Sequence, residues 1–214
     1  MNTQDKGFGI PIIRRLPMYL DLLKGYGNQG QEYVSSSQLA GDLKLESIQV
    51  RKDLAATGIA GKPKLGFSIE ELIISIEKYL GWDNTSDAFV VGVGNLGSAL
   101  LGYRGFSLYG LQLLAGFDTD PNKVGRKING KEIFPMAKLP GLIKRMRVHI
   151  GILTVPPDSA QKTADLMVLS GIRALWNFTS VPVLLPQEII VENMDLAASL
   201  AVLSRKLSLV LNDH

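Results

Sequence analysis

Ala88-Phe-Val-Val-Gly92-Val-Gly94-Asn-Leu-Gly97 runs a short line of strand formers straight into a G-x-G-x-x-G turn, with helix formers from Leu96 to Leu101 behind it. A strand, a glycine turn and a helix in that order are what the dinucleotide-binding fingerprint requires; glycines at this spacing without that context carry little weight. Gly92 supplies the tight turn, Gly94 lets the backbone approach a pyrophosphate, and Gly97 lets the helix pack closely on the strand. The free N–H groups and the positive end of the helix then favour phosphate. About 20 residues further on, a second apolar run closes on Phe117-Asp118, where the fingerprint places an acid for the ribose hydroxyls. A carboxylate there also repels a 2′-phosphate, which favours NAD(H) over NADP(H). Asp120 is the alternative acid, but it sits in Asp-Pro-Asn, the setting of a turn residue. The motif nominates Gly92, Val93, Gly94, Asn95, Leu96, Gly97 and Asp118 as cofactor-binding residues.

Outward from this turn, short apolar runs alternate with helix-length segments. Leu111–Phe117, His149–Thr154, Ala174–Asn177 and Glu188–Val191 are the further candidate strands, and their spacing predicts a parallel sheet with helical crossovers. The last segment, Leu196 to Leu211, is apolar on nearly every side, so it needs burial, against its own chain or a second copy. Upstream, the polar, turn-rich stretch Gly81–Asp87 marks a boundary. Before it, Pro11 opens a helix that carries Ile12, Ile13, Leu16, Leu20 and Leu23 to Gly25. Ser36 or Ser37 caps a second helix, and a third starts at Glu46 or Ser47 with Ile48, Val50 and Leu54 facing the core. A glycine-flanked hairpin, Gly61–Phe67, follows, and Ser68-Ile-Glu-Glu71 opens a fourth helix as a capping box. Three helices, a hairpin and a helix predict a winged helix-turn-helix. The expected organisation is α/β, with a winged domain over 1–82, a Rossmann domain over 83–194 and a terminal helix over 195–214.

Composition narrows the function classes. The 214 residues are 46% hydrophobic and 20% charged, with no apolar run near the ~18 residues of a membrane span. Met1–Lys6 shows no secretory leader pattern, so a cytoplasmic protein is expected. With no cysteine there is no disulfide, thiol switch or cysteine-ligated zinc, and the two histidines, His149 and His214, have no partner at metal-ligand spacing. The net charge of +3 permits a nucleic-acid partner without requiring one. Residues 1–82 carry ten Lys/Arg against nine Asp/Glu, but from Gln49 to Lys64 Arg51, Lys52, Lys62 and Lys64 stand against Asp53 alone, so basic surface is local. Gln49 and Arg51 on the third helix suit base edges in the major groove, while Lys52 and the hairpin lysines Lys62 and Lys64 suit phosphate or the minor groove. The other reading of these residues is a solvated helix with a lysine-rich turn. An enzyme reading fares worse: there is no Tyr-x-x-x-Lys pair, no histidine in a catalytic setting, and only roughly 130 residues after Trp82, enough for the nucleotide fold itself.

The series of motifs resembles the Rex redox-sensing transcriptional repressors from about Pro11 to Leu203. It is carried by Arg15-Leu-Pro-Met-Tyr-Leu20, Val34-Ser-Ser-Ser-Gln-Leu39, Val50-Arg-Lys-Asp-Leu54 and Gly92–Gly97. It continues through Phe117-Asp-Thr-Asp120, Lys123-Val-Gly125, Leu153-Thr-Val-Pro156, Asn177-Phe178 and Glu192-Asn-Met-Asp195-Leu196. Each motif alone is common; the order is specific. The resemblance implies a homodimer that binds double-stranded operator DNA when free or loaded with NAD⁺ and releases it with NADH. It also implies a terminal helix swapped between subunits. It adds Thr154, Val155, Pro156, Asn177 and Phe178 to the cofactor residues, Ser36 to the DNA-binding set, and Tyr103, Asp195 and Leu196 to the positions that respond to the nicotinamide.

The chain departs from the family pattern at several places. Asp21 stands where many members have an Arg that pairs with the Asp195 position, so either Arg14 or Arg15 substitutes as the cation or the switch is wired differently. Leu196 replaces a common Phe, Ala55-Ala-Thr-Gly58 replaces an aromatic pair, and the hairpin reads Lys-Pro-Lys-Leu-Gly. Ser180-Val181 stands where a proline is usual. Two other functions compete with sensing: a small NAD-dependent oxidoreductase with a helical cap, and a DNA-binding dimer in which the Rossmann domain is only scaffold.

Overall fold

The computed structural model describes residues 9–212. The Met1–Lys6 start and His214 lie outside the described residues. The chain divides into two compact units, with the break between Asn84 and Thr85.

In the first unit, α1 (Ile10–Asn28), β1 (Tyr33–Val34), α2 (Ser36–Leu43), α3 (Ser47–Ala56), β2 (Phe67–Ser68) and α4 (Ile69–Leu80) follow in order. Pro11 stands in the first turn of α1, where its missing N–H costs nothing. The helix runs past Gly25, because Tyr26 continues the buried stripe Leu16, Tyr19, Leu20, Leu23. α2 is capped by Ser35, whose hydroxyl accepts from the Gln38 N–H at 3.0 Å, one residue earlier than the sequence suggests. In α3, Val50, Asp53 and Leu54 face inward, whereas Ile48 is 65% exposed. At 100° per residue Ile48 lies on the opposite side from Val50. The Gly61–Phe67 segment is a tight hairpin tip, with Lys62 bridged to Gly66 and β2 antiparallel to β1. Gly66 has φ +90°, and a Cβ there would lie 2.3 Å from the Val34 carbonyl oxygen, so no other residue fits. Ser68 caps α4 by accepting from the Glu71 N–H.

The second unit is a seven-stranded sheet. Its strands are β3 (Ser86–Val91), β4 (Leu111–Asp118), β5 (Lys127–Ile128), β6 (Lys131–Pro135), β7 (Ile150–Leu153), β8 (Ala174–Asn177) and β9 (Ile190–Asn193), in the spatial order β5-β6-β4-β3-β7-β8-β9. All pairings are parallel except β5 with β6. α5 (Asn95–Gly102), α6 (Leu139–Met146) and α7 (Pro157–Ser170) supply the crossovers. Period-two alternation on β3 splits the core in two. Phe89 and Val91 join Phe117, Leu142, Ile143 and Met167 on one face, and Ala88 and Val90 join Leu101, Leu113 and Ile152 on the other. Strand order reverses at β3, where a crevice opens at the carboxyl ends of β3 and β7. α8 (Leu196–Asn212) contains no buried residue, and Leu196, Leu200, Leu203, Leu207 and Leu211 are all exposed. The burial that its composition demands is not met within the single chain.

The first unit is held by a charge sealed in its core. Asp53, fully buried, accepts two hydrogen bonds from the Arg15 guanidinium, at 2.7 Å each, one from the Tyr19 hydroxyl at 2.7 Å and one from the Gln49 amide at 2.8 Å. This ties α1 to α3. Burial alone would raise the Asp53 carboxyl, but Arg15, Tyr19 and Gln49 together outweigh it and hold it below the usual range. Tyr19 is pushed up, first by burial and then by its bond to the carboxylate. Because the folded pKa lies below the free-aspartate value of about 3.9, this stabilisation is complete above that value and fades as pH falls through the folded one. Asp53→Ala, which strands Arg15 and Tyr19, is expected to destabilise the protein by roughly 3–5 kcal/mol. It should also flatten the loss of stability below about pH 4. Denaturant unfolding across pH checks both; a loss under about 1 kcal/mol would contradict a closed, stabilising network.

Candidate functional site

The glycine turn between β3 and α5 has the geometry of a cradle. Gly92 adopts φ +94°, and a Cβ there would lie 2.8 Å from the Thr154 backbone. Gly97 faces the turn so closely that a Cβ would lie 2.0 Å from the Gly92 carbonyl oxygen. Gly94 differs: nothing lies within 4 Å of the Cβ position, and the residue is exposed. It is also the N-cap of α5, with no side-chain cap, and Asn95 and Leu96 beside it are exposed. An uncapped helix N-terminus with bare backbone beside an open cleft suits an anionic group. The Thr154 hydroxyl donates to the Gly92 carbonyl at 2.6 Å and pins the turn to the end of β7.

The cleft beside this turn has a volume of about 850 Å³ and is lined by Gly92, Gly94, Asp118, Thr154, Val155 and Pro156, with Lys123 and Lys162 also on its wall. Asp118, at the end of β4, accepts from the Val93 N–H at 2.8 Å and the Asp120 N–H at 2.9 Å, with the Lys123 ammonium at 3.1 Å. Burial would raise its carboxyl, but the Asp120 amide, Lys123 and the Val93 amide more than offset this and lower it. Asp118 is therefore an ionised acceptor held in place at the cleft. Asp120 serves the turn, accepting from the Asn122 N–H at 2.9 Å. Sequence reasoning assigns no role to Lys123 and overlooks Lys162. They reach the cleft from separate elements, and no linear pattern marks them.

A second cavity, of about 580 Å³, brings Phe178 together with Asn193, Met194, Asp195 and Leu196. Asn177 is buried and spent on structure: its amide donates to the Val181 carbonyl and the Asn193 side chain, and its oxygen accepts from the Thr179 N–H and hydroxyl. It shapes the loop that carries Phe178. Asp195 accepts from the Ala198 N–H at 2.8 Å and so caps the start of α8. Tyr103, 53% exposed, follows α5, whose last carbonyls are held from the β5–β6 hairpin: Lys131 donates to Leu101 and Asn129 to Gly102.

On the first unit, α2 and α3 present the helix-turn-helix. Arg51 and Lys52 are exposed on α3, and Arg51 donates to the buried Ser36 hydroxyl at 3.2 Å, which orients the guanidinium. Gln49 does not stand free as a base reader: its amide is bonded to Asp53. Lys64 sits at the exposed hairpin tip with φ 66°. Lys62 faces Glu71 at 3.7 Å and the Tyr33 ring at 5.5 Å. Arg15, the cation offered by sequence for the switch, is already bidentate with the buried Asp53 carboxylate. Among the described residues, no group of three or more His, Asp and Glu is placed to hold a metal.

Two protein families match the chain: a putative DNA-binding protein N-terminus over residues 10–55 and a CoA binding domain over residues 83–181. The redox-sensing transcriptional repressor Rex of Treponema denticola is 46% identical over 193 residues, 90% of this chain and 92% of that protein. The Rex of Bacteroides fragilis is 41% identical, covering 92% of this chain and 90% of that protein. Among solved structures, RSP in complex with beta-NAD+ and operator DNA matches with a TM-score of 0.88 at 36% identity, over 94% of this chain and 92% of that one. RSP with beta-NADH matches with a TM-score of 0.84 at 35% identity, over 94% of each chain. At this identity and coverage, the chain belongs to the Rex family of redox-sensing transcriptional repressors.

Proposed function

We propose that this protein is a homodimeric repressor that binds operator DNA through its first unit and reads the ratio of NADH to NAD⁺ through its second. The observation that carries the reading is the open backbone at Gly94, where an uncapped helix N-terminus faces a cleft holding the ionised Asp118. Asn95 and Leu96 amides would take the pyrophosphate, and Asp118 would accept from a ribose hydroxyl. Val155 and Pro156 would wall the cleft, while Phe178, Tyr103, Asp195 and Leu196 would face the nicotinamide. NAD⁺ and NADH differ by one positive charge on that ring. A carboxylate such as Asp195 at ~4 Å would feel about 4 kcal/mol of difference at an effective dielectric near ~20, before screening. Only a differential affinity of this kind can shift the balance between DNA-binding and released states.

The same reading accounts for α8. Its leucines face outward in the single chain, and a second copy would cover them, with exchange of this helix between subunits as the family resemblance implies. Arg51, Lys52 and Lys64 would contact DNA, Arg51 at base edges and the lysines at phosphates. Binding without turnover suits a site in which neither cavity wall carries a histidine or a Tyr-Lys pair beside the proposed nicotinamide position. Such a protein would act in the cytoplasm, and among the described residues no helix is long and apolar enough to cross a membrane.

Titrating NADH into the operator complex is expected to release DNA, with far more NAD⁺ needed to compete; an operator affinity unchanged by NADH would contradict sensing. Gly94→Val is expected to fold with stability within about 0.5 kcal/mol of wild type and to lose NADH uptake, measured by unfolding and by NADH fluorescence. An unchanged redox response in that variant would instead support a scaffold role for the sheet. Arg51→Ala is expected to cost about 1–3 kcal/mol in operator binding and to relax specificity at one position, read by competition among operator variants. Lys64→Ala should weaken all sequences alike and reduce the salt slope by about 1.

A further inference from the structure

Tyr103 occupies a built seat. A Cβ placed on Gly105 would lie 2.3 Å from the Tyr103 Cζ and hydroxyl oxygen and 2.5 Å from Cε1, so the tyrosine ring fills the space that a side chain at 105 would need. Gly105 is not among the left-handed residues, so the backbone does not demand glycine there. What glycine provides is room. The ring then meets Phe106 edge to face, with centroids 4.9 Å apart and planes at 81°.

The contact continues inward. Phe106 meets the edge of Trp176 at 5.7 Å and 68°, and Trp176 meets Phe178 at 4.8 Å and 55°. Four aromatic rings thus form one row from the loop after α5 to the loop after β8, where Phe178 lines the cavity shared with Asp195. At both ends of the row the backbone is tied down, by Lys131 and Asn129 at the close of α5 and by the Asn177 side chain in the loop that carries Phe178. With the backbone fixed, the freedom left to the exposed Tyr103 is its ring orientation. Gly105 sets this from below and the Phe106–Trp176 pair sets it from the side.

We infer that Gly105 and Trp176 are positioning residues for redox discrimination, holding the Tyr103 ring where it distinguishes the two nicotinamide forms. The inference rests on the proposed sensing function and assigns the parts that make it selective. Neither residue lines the cleft beside the glycine turn, where Asp118 would take a ribose hydroxyl. Loss of either should therefore change the ratio of NAD⁺ to NADH dissociation constants more than the affinity common to both.

The test uses the full chain as wild type, Gly105→Ala, Trp176→Leu and Trp176→Phe, with calorimetric titration of NADH and NAD⁺ and a melting curve for each. Gly105→Ala, which removes no packing group and only displaces the tyrosine ring, is expected to melt with the wild type. It should move the dissociation-constant ratio toward unity by at least about fivefold, the lower end of ordinary ligand coupling. Trp176→Leu is expected to move the ratio the same way, and Trp176→Phe to restore most of it, a rescue that general destabilisation would not give. Ratios within about twofold of wild type in both Gly105→Ala and Trp176→Leu would overturn the inference. A wild-type chain that binds neither nicotinamide form would overturn the sensing function itself, and the inference with it.

Discussion

The carbonyl of Gly92 and the bare α-carbon of Gly97 approach each other more closely than any side chain would permit. That approach seats α5 on the end of β3, and most of what matters in the second unit follows from it. The helix N-terminus is brought to the carboxyl edge of the sheet, where Thr154 from β7 pins the turn and Asp118 from β4 accepts from the Val93 N–H. A side chain at 97 would push the helix away, and its N-terminus at Gly94 would leave the rim of the cleft. The reversal of strand order at β3 makes the crevice, and the missing Cβ lets the helix N-terminus reach its rim.

Among the described residues each unit contains one buried carboxylate, and the two are stabilised by different means. Asp53 is compensated by side chains drawn from α1 and α3, so its charge locks one helix to another. Asp118 is compensated chiefly by backbone amides and one flexible lysine, so its charge organises a turn at the rim of a cleft. The first arrangement leaves no lone pair pointing at solvent and reads as architecture. The second keeps an ionised oxygen beside an open volume and reads as a site. Local chemistry, not residue type, separates the two roles.

Much of the fold was legible because it is written in local patterns. The β3–α5 turn, the Ser68 cap and β8 at Ala174–Asn177 lie where periodicity and capping put them. The sequence pattern does not mark the β5–β6 hairpin, although Asn129-Gly130 is a hairpin turn signal with both residues at positive φ, because β5 is two residues long and β6 carries only the apolar pair Ile133-Phe134. Asp53 reads from sequence as the lone counter-charge in a basic segment. Its burial depends on Arg15, 38 residues earlier, and no window along the chain shows that pair. The same carboxylate engages the Gln49 amide, one helical turn away on α3, and the Arg15 guanidinium from α1, so neither side chain stands free. Lys123 and Lys162 meet at the cleft only after the sheet is assembled. The apolar face of α8 was visible at once, but what covers it is not a property of one chain.

The central claim is that a nicotinamide dinucleotide lies across the Gly92–Gly97 turn. A crystal structure of the protein grown with NADH tests it most directly. The account predicts the pyrophosphate on the amides that follow Gly94 and a ribose hydroxyl donating to Asp118. A structure in which the nucleotide is absent at saturating NADH, or bound away from this turn, would contradict it.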